Sequence, residues 1–330
     1  MNTTIRAPRP LSLILCGSRN TMTPIILGLI IAGLAAGHVA AAEPACGSAD
    51  FTPSPERPLN FRGNGSGIYA GATPPVEFSA TNNLRWVTKI PVVEKPGSWS
   101  HSPPVVVGKR VFISAEPDST LCLDADTGKI LWRDALGKLE PVTDALAIYS
   151  GNGFSTACSD GAALYRQYVG RPTDKTQGKH RVYVVSYDLE GKRRWLVDMA
   201  DAIAHRASTY EFTSPLLIGD RLIVWDRRQY GQPCDLVALD TGTGKTIWKQ
   251  GYEREPTDGN PWGAGTDGGM VPLRLGNRTL MLSPGGWCID PSDGKLLTKA
   301  LIAEDGKGRK YNRLGIELGV TWAACYTPVV

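Results

Sequence analysis

One ten-residue stretch of this chain, LDTGTGKTIW at residues 239–248, recurs along it in closely similar form. The copies are LDADTGKILW at 123–132, IDPSDGKLL at 289–297 and the shorter YDLEGKRRW at 187–195. In tight turns, Asp, Thr and Ser side chains bond neighbouring backbone groups, and Gly supplies the positive φ that closes the turn. Each copy therefore predicts a strand, a tight turn and a second strand that contains Trp or Leu.

A second pattern precedes three of these copies: SPPVVVGKRVFI at 102–113, SPLLIGDRLIV at 214–224 and VPLRLGNRTLM at 271–281. An apolar run, a Gly-containing turn and a second β-rich run predict a hairpin. Two successive hairpins make a four-stranded antiparallel sheet, and the unit recurs roughly every 50 residues, as propeller blades do. Helical repeats would need apolar residues at a spacing of 3.6, which these short runs broken by turns lack.

The two patterns together resemble the PQQ-like β-propeller repeat, which quinoprotein dehydrogenases share with non-enzymatic propellers such as the outer-membrane assembly lipoprotein BamB. FRGNGSG at 61–67, NLRW at 83–86 and GFSTACSDG at 153–161 are similar to parts of secreted bacterial propellers of this type. The resemblance covers residues 61–330 and implies the fold more strongly than the function. We expect an all-β propeller with about four complete four-stranded blades and partial ones, forming an incomplete propeller.

The chain divides into three predicted parts. Residues 1–42 are expected to be a signal peptide, and 43–82 an N-terminal extended segment. Residues 83–330 are expected to be the propeller, truncated within a further blade. Within it, the run at 84–90 is expected to be an outer strand of the ring, and the long second repeat predicts an insertion around residues 171–180.

The first 42 residues have the features of an export signal. Arg6, Arg9 and Arg19 precede a run of small and apolar residues at 23–42 that ends in three alanines. This order is typical of a secretory signal peptide cleaved after Ala42, although the run is nearly long enough to be a retained transmembrane anchor. We expect an exported bacterial protein, periplasmic or extracellular, with no membrane span after cleavage.

Charge and cysteine content limit the functions that remain. Without residues 1–42 the chain has 33 basic and 32 acidic residues, so it lacks the basic surface expected of a nucleic-acid-binding protein. Six cysteines follow the signal, which permits disulfides in 15 connectivities, but we expect most to be small buried residues. None has the C-x-x-C spacing, so a zinc site is not indicated.

Enzymatic activity of the quinoprotein type is the less favoured interpretation. That chemistry needs a deep channel, a Ca²⁺ ion held by carboxylate and amide oxygens, a catalytic Asp and cofactor contacts. The dehydrogenases that the repeat resembles often have two adjacent cysteines over the cofactor, and this chain has no such pair. We therefore assign no catalytic, cofactor-binding or metal-binding residue and expect no cofactor, with PQQ and calcium as the alternative.

A binding surface is expected where the first strands of the blades and the long loops between them converge on the axis. Gly251–Met270 is a long polar, Gly-rich loop, and loops of this kind are often functional. The favoured function is a non-catalytic binding or scaffold module for protein or peptide partners in the cell envelope. A PQQ-dependent dehydrogenase and a carbohydrate-binding propeller are the alternatives. The candidate residues are Trp99, His101, Arg206, Tyr210, Glu211, Trp262 and Asp267.

Overall fold

A computed structural model describes most of the repeat region. The described residues are 44–90, 102–115, 119–135, 142–145, 155–172, 180–204, 214–226, 234–252, 270–282, 288–298, 303–304, 310–311 and 317–318. Every regular element among them is a β-strand. This part of the chain accordingly contains no helix long and apolar enough to cross a membrane.

The strands form four antiparallel meanders of four strands each, which confirms the prediction of an all-β propeller with four complete blades. Blade 1 consists of β1 (Val105–Val107), β2 (Arg110–Ala115), β3 (Ser119–Asp124) and β4 (Ile130–Ala135). An additional strand, β5 (Val142–Ala145), pairs with the second strand of the next blade. Blade 2 consists of β6 (Cys158–Ser159), β7 (Ala163–Pro172), β8 (His180–Asp188) and β9 (Arg193–Ala204).

The remaining strands follow the same order. Blade 3 consists of β10 (Leu216–Ile218), β11 (Arg221–Asp226), β12 (Cys234–Asp240) and β13 (Thr246–Tyr252). Blade 4 consists of β14 (Val271–Leu275), β15 (Arg278–Leu282), β16 (Cys288–Ile289) and β17 (Leu296–Thr298). A three-stranded sheet contains β18 (Ala303–Glu304), β19 (Lys310–Tyr311) and β20 (Glu317–Leu318).

The insertion predicted around residues 171–180 is only partly separate from the blade. Residues 171–172 and 180 belong to the long strands β7 and β8, and 173–179 lie outside the described residues. Part of the extra length of this repeat lies instead before β6, where β5 pairs with the distal half of β7. Blade 2 is therefore extended in its strands as well as in its connections.

The turns between the third and fourth strands have the predicted side-chain chemistry. The Asp240 carboxylate accepts hydrogen bonds from the backbone N–H (2.8 Å) and hydroxyl (2.6 Å) of Thr243. Asp124 makes the same two bonds with Thr127. The hydroxyl and backbone bonds hold the pKa of both carboxyl groups below its ordinary value. The repeated motif is thus a turn-forming motif.

In the three repeats that contain it, the tryptophan links its blade to the next one. The Trp132 indole N–H donates to the Leu189 carbonyl in the blade 2 turn (3.0 Å), and Trp195 donates to Thr241 in the blade 3 turn (3.0 Å). Trp248 makes the equivalent bond to blade 4. The sequence alone indicated these residues only as parts of strands. The structure shows that they also join successive blades.

The segment at 84–90 contacts the turn of blade 1 in the same way that the fourth strand of a blade contacts the turn of the next blade. The Trp86 indole N–H donates to the Ala125 carbonyl (2.9 Å), and the Thr88 hydroxyl donates to the Gly128 carbonyl (2.6 Å). Burial alternates along the segment, so that one side of it faces the blade 1 turn. Its backbone nevertheless belongs to no strand ladder. It therefore has the side-chain contacts, but not the pairing, of the outer strand predicted there.

Apolar side chains between adjacent blades form the core. Val105, Phe112, Tyr168 and Tyr187 belong to a cluster shared by blades 1 and 2, and similar clusters join blade 2 to blade 3 and blade 3 to blade 4. The thiols of Cys46, Cys122 and Cys158 are buried and free, in agreement with the expected role of small core residues. Burial raises the pKa of Cys122 to about 11.

A polar network lies between blades 1 and 2. The Asp134 carboxylate accepts two hydrogen bonds from the Arg193 guanidinium (2.8 and 2.9 Å) and one from the Tyr187 hydroxyl (2.8 Å). Partial burial would raise the pKa of Asp134, but the hydrogen bonds from Arg193 and Tyr187 outweigh it and lower the pKa. The network therefore holds Asp134 as a carboxylate.

Candidate functional site

The predicted candidate residues are not tested by the structure. All seven lie outside the described residues, so their convergence on the axis stays a prediction. The set is Trp99, His101, Arg206, Tyr210, Glu211, Trp262 and Asp267. The axial surface is described at other residues, those of the first strand of each blade. The first strands β1, β6, β10 and β14 contact one another in succession, which places them innermost.

The register of the first hairpin determines which backbone groups face the axis. Val107 pairs with Arg110 across a two-residue turn, so these two residues exchange hydrogen bonds with each other. Val106 is one residue further along the strand, and its N–H and C=O therefore point away from β2, toward the axis. We call this position the inner-edge residue. In the four blades it is Val106, Ser159, Leu217 and Arg274.

Proline occurs two residues before the inner-edge residue in three blades. Pro104, Pro215 and Pro272 hold this position, where a backbone N–H would also point to the axis. Proline has no N–H to pair and is confined to the edge strands of sheets. The proline in this sequence pattern therefore marks the first strand of a blade. The inner edge of that strand has no neighbouring strand in the same blade.

Residues 51–66, which we call the N-terminal strap, lie along this edge. The backbone of Leu59 pairs with that of Ser159 through two hydrogen bonds (2.8 and 2.9 Å), as an added antiparallel strand would. The side-chain amide of Asn60 makes the equivalent pair with Leu217. It donates to the Leu217 carbonyl (3.1 Å) and accepts from the Leu217 N–H (2.7 Å). The strap thus saturates the inner-edge residues of blades 2 and 3.

The strap also contacts blade 4. Gly65 lies so close to β14 that a Cβ on it would be 2.5 Å from Cδ of Pro272, which only glycine avoids. The Arg274 guanidinium donates to the Glu56 carbonyl (3.3 Å). These contacts hold the strap against β14 at Pro272, without a backbone hydrogen bond to Arg274 in the described residues.

The inner-edge residues of blades 1 and 4 have no backbone partner in the part of the chain that the structure describes. No hydrogen bond occupies the N–H or C=O of Val106 or Arg274 there. A cavity adjoins each of them. The one beside β14 has a volume of about 590 Å³ and is lined by residues of the strap and of blades 3 and 4. The one beside β1 has about 440 Å³ and is lined by Val106 and by Arg62 and Tyr69.

The cavity beside β14 has an apolar floor and a charged rim. Its lining includes Leu217, Ile218 and Pro272, together with the guanidinium groups of Arg57 and Arg274. Arg57 also lies over the Phe51 ring, at 5.6 Å from its centroid. Among the described residues that line this cavity, Glu56 has the only carboxylate. Its carboxylate accepts a hydrogen bond from the Ser54 hydroxyl (2.8 Å), which lowers its pKa.

Sequence comparison assigns the chain to a family. The sequence profile described as outer membrane protein assembly factor BamB, of the PQQ-like repeat type, matches residues 76–307. The chain belongs to this family. The assignment agrees with the resemblance predicted from the repeated turn and hairpin patterns. No curated protein matches the sequence.

Several solved structures match part of the chain at low sequence identity. Quinohemoprotein alcohol dehydrogenase from Comamonas testosteroni is 16% identical with a TM-score of 0.43, over 68% of this chain and 38% of that one. BamB from Moraxella catarrhalis is 17% identical with a TM-score of 0.33, over 63% of this chain and 56% of that one. A europium-containing methanol dehydrogenase is 13% identical with a TM-score of 0.32, over 59% and 40%. The chain thus spans little more than half, or less, of these structures.

The axial residues that the structure describes do not fit a calcium-bound quinone. The strap covers the inner edges of β6 and β10, and the amide oxygen of Asn60 already accepts the Leu217 N–H. In the described ranges, no group of three or more His, Cys, Asp or Glu side chains is placed to hold a metal ion. We derive no chemical step that uses such a group.

Proposed function

We propose that this protein is an exported, non-catalytic β-propeller that binds protein partners in the bacterial cell envelope. The observation that carries the proposal is the strap on the inner edges of the blades. Its backbone at Leu59 and its side-chain amide at Asn60 bind two inner-edge peptide groups as a bound peptide would. Two further inner-edge groups adjoin cavities and have no partner in the described region.

The physical basis is the addition of a strand to an exposed sheet edge. Main-chain hydrogen bonds provide affinity in such complexes, and the pockets for alternate side chains provide specificity. The cavity beside β14 lies in the size range of ligand sites, about 300–1,000 Å³. Membership of a family described as an outer membrane assembly factor supports a partner of protein class.

Export is a separate part of the proposal and has its own test. It is supported by the basic, then apolar, then small-residue order of residues 1–42. When the full gene is expressed in a Gram-negative host, we expect the protein in the periplasmic fraction with an intact mass that begins at Glu43. A protein of uncleaved mass in the cytoplasm would contradict export.

Binding is tested by panning a displayed library of random twelve-residue peptides against the full chain. We expect enriched peptides to bind saturably and to lose at least tenfold in affinity on the double variant Val106→Pro, Arg274→Pro. Proline removes the two inner-edge N–H donors without breaking a ladder bond, because both face away from β2 and β15. The control is Ile247→Thr, an exposed position on β13. Failure to enrich any peptide, or equal binding to the double variant, would overturn the proposal.

A further inference from the structure

We infer that the cavity beside β1 binds the C-terminal end of a partner polypeptide. The backbone of that segment pairs with Val106, and its terminal carboxylate is bound by the Arg62 guanidinium and the Tyr69 hydroxyl. The inference rests on the proposed peptide-binding function and specifies the ligand of one site on blade 1. An exposed strand edge, a cation without a counter-charge and two hydroxyl groups without partners in the described part of the chain carry it.

The strand β1 is exposed on the side of this cavity. Pro104 and Val106 are exposed and line the cavity, whereas Val105 and Val107 are buried in the core. The N–H and C=O of Val106 point to the axis and have no partner among the described residues, and its side chain is 51% exposed. An added antiparallel strand can therefore pair with both backbone groups. The side chain opposite Val106 lies on the same face, where an apolar residue covers this exposed surface.

One cation faces the cavity without a counter-charge. Among the described residues that line the cavity, Arg62 has the only charged side chain. Its guanidinium lies over the Phe61 ring, 5.1 Å from the centroid, and forms no hydrogen bond or ion pair within the described ranges. The backbone of Arg62 has a φ of +57°, a conformation that is rare outside glycine and that clusters at ligand sites. Guanidinium groups form their strongest hydrogen bonds with carboxylates, so a carboxylate is the matching ligand group.

The Tyr69 hydroxyl lies close to this cation. Tyr69 and Cys46 both pack against Gly63, where an added Cβ would be 3.1 Å from Cζ of the tyrosine ring. Burial raises the pKa of Tyr69, and the positive charge of Arg62 acts in the opposite direction, which indicates that the two groups are near each other. The hydroxyl therefore keeps its proton at neutral pH, and no described residue accepts a hydrogen bond from it. It is a second donor for an oxyanion that is held by Arg62.

A second hydroxyl on the lining is buried and unpaired. Thr156 lines the cavity and is 1% exposed, and its Oγ1 has no hydrogen-bond partner in the structure as described. Its backbone N–H donates to the Ser214 hydroxyl (2.9 Å), so the backbone of this residue is held in place. A buried hydroxyl that is left unpaired destabilises the protein, and a polar group of a ligand removes that cost.

A chain terminus fits this cavity better than the middle of a segment does. The cavity lies between residues 46–51, the strap at residues 59–63 and β1, and its volume of about 440 Å³ is near the lower end of the range for ligand sites. A terminal carboxylate belongs to the same backbone that pairs with Val106, so no long side chain has to be ordered to reach Arg62. Capture of a C-terminal carboxylate is a recurring mode of peptide recognition.

Selection of hexapeptides displayed with free C-termini on the full chain tests this inference. The enriched peptide is synthesised as the free acid and as the C-terminal amide, and the binding of each is measured by fluorescence anisotropy. We expect the amide to bind about tenfold more weakly or worse, because it loses a charge-assisted hydrogen bond. No enrichment, or equal binding of acid and amide, would overturn the inference.

Two further ligands identify the source of the carboxylate. An amidated peptide with Asp at its last position should bind as weakly as the amide, and N-acetylleucine should bind more weakly than the hexapeptide acid. Tight binding of the Asp peptide would assign the site to a side-chain carboxylate. Binding of N-acetylleucine as tight as that of the hexapeptide would show that a small carboxylate suffices without backbone pairing. Either result would overturn the inference.

Variants of the lining separate the charge from a structural role. Arg62→Gln should abolish the preference for the acid, and Arg62→Lys should retain most of it. Thr156→Val should weaken the acid about threefold and leave the free energy of unfolding of the free chain unreduced, because the hydroxyl has no partner there. The control Arg85→Gln, which removes an exposed arginine ion-paired with Asp126 (3.1 Å), should change neither. An unchanged preference in Arg62→Gln would contradict the assignment.

Backbone pairing has its own variant. Val106→Pro removes the inner-edge N–H and should weaken the acid and the amide by the same factor, about tenfold. Unchanged binding to this variant would overturn the pairing with Val106. The twelve-residue library of the proposed function requires no free terminus. Peptides enriched from it would still support that function if the acid and the amide bound equally, so the two failures are distinguishable.

Discussion

The two turn glycines of blade 3 predict different costs for the same substitution. Gly219 closes the turn between β10 and β11 with a φ of +59°, and no atom lies within 4 Å of a Cβ placed on it. Gly244 closes the turn between β12 and β13 with a φ of +72°. A Cβ on Gly244 would lie 2.9 Å from Cδ2 and Cε3 of Trp195 and from Cγ2 of Val197. The backbone strain is thus similar, and only Gly244 is covered by the neighbouring blade.

The expected magnitudes follow from these distances. Gly219→Ala should lower the free energy of unfolding by about 1–2 kcal/mol, the cost of the left-handed conformation for a residue with a Cβ. Gly244→Ala has the same strain and must also displace the Trp195 ring, because contacts of 2.9 Å are too short. Overpacking costs about 1–3 kcal/mol, and loss of the 3.0 Å indole bond to Thr241 adds about 1 kcal/mol. The total is about 3–6 kcal/mol.

Urea unfolding of the full chain and both variants measures the difference, with stability taken by linear extrapolation. Intrinsic tryptophan fluorescence should also shift in Gly244→Ala, because the Trp195 ring loses its hydrogen bond, and should not shift in Gly219→Ala. If the two variants lose the same stability within about 0.5 kcal/mol, the tryptophan contact does not link the blades as described.

Three further outcomes are expected. Asn60→Ala should lower the free energy of unfolding in urea by about 2–4 kcal/mol, because it leaves the buried peptide group of Leu217 in β10 unpaired. The control Asn64→Ala, in an exposed turn, should lower it by under about 1 kcal/mol. Equal losses in the two variants would contradict the strap contact. Asp134→Asn should cost about 2 kcal/mol at pH 6, where the Arg193 pair is intact. Because the folded pKa of Asp134 is lowered, this contribution is present above about pH 4 and lost as pH falls through the folded value, so the two unfolding curves should converge near pH 2. Burial raises the pKa of Cys158 far above its ordinary value, so iodoacetamide at pH 8 should label this thiol only when the protein is unfolded in urea. Peptide mass spectrometry measures the labelling, and a labelled Cys158 in the folded protein would refute its burial.

The blades were predictable from the sequence because their turns are local. Asp240 and Thr243 are three residues apart and bond each other, so the motif carries its own structural explanation. The hairpins repeat the same apolar runs and turns, which indicated four strands per blade and four blades. Strand boundaries in blade 2 were less predictable, because β5 and the distal half of β7 pair outside the repeated pattern.

The inner-edge contacts were not predictable because they join distant residues. Asn60 and Leu217 are 157 residues apart, and nothing near Asn60 indicates which strand its amide meets. The one available signal was the proline two residues before Val106, Leu217 and Arg274, which marks an edge without a strand neighbour. The sequence directed attention to loop residues such as Trp262 instead, and these lie outside the described part of the chain.

Amide hydrogen exchange at the four inner-edge residues tests the central claim most directly. The Ser159 N–H donates to Leu59 (2.9 Å) and the Leu217 N–H to Asn60 (2.7 Å), whereas those of Val106 and Arg274 have no partner in the described structure. We predict slow exchange at Ser159 and Leu217, fast exchange at Val106 and Arg274, and protection of Arg274 when a peptide enriched from the random library is added. Equal exchange at all four positions, or no change at Arg274 with a bound peptide, would contradict the account.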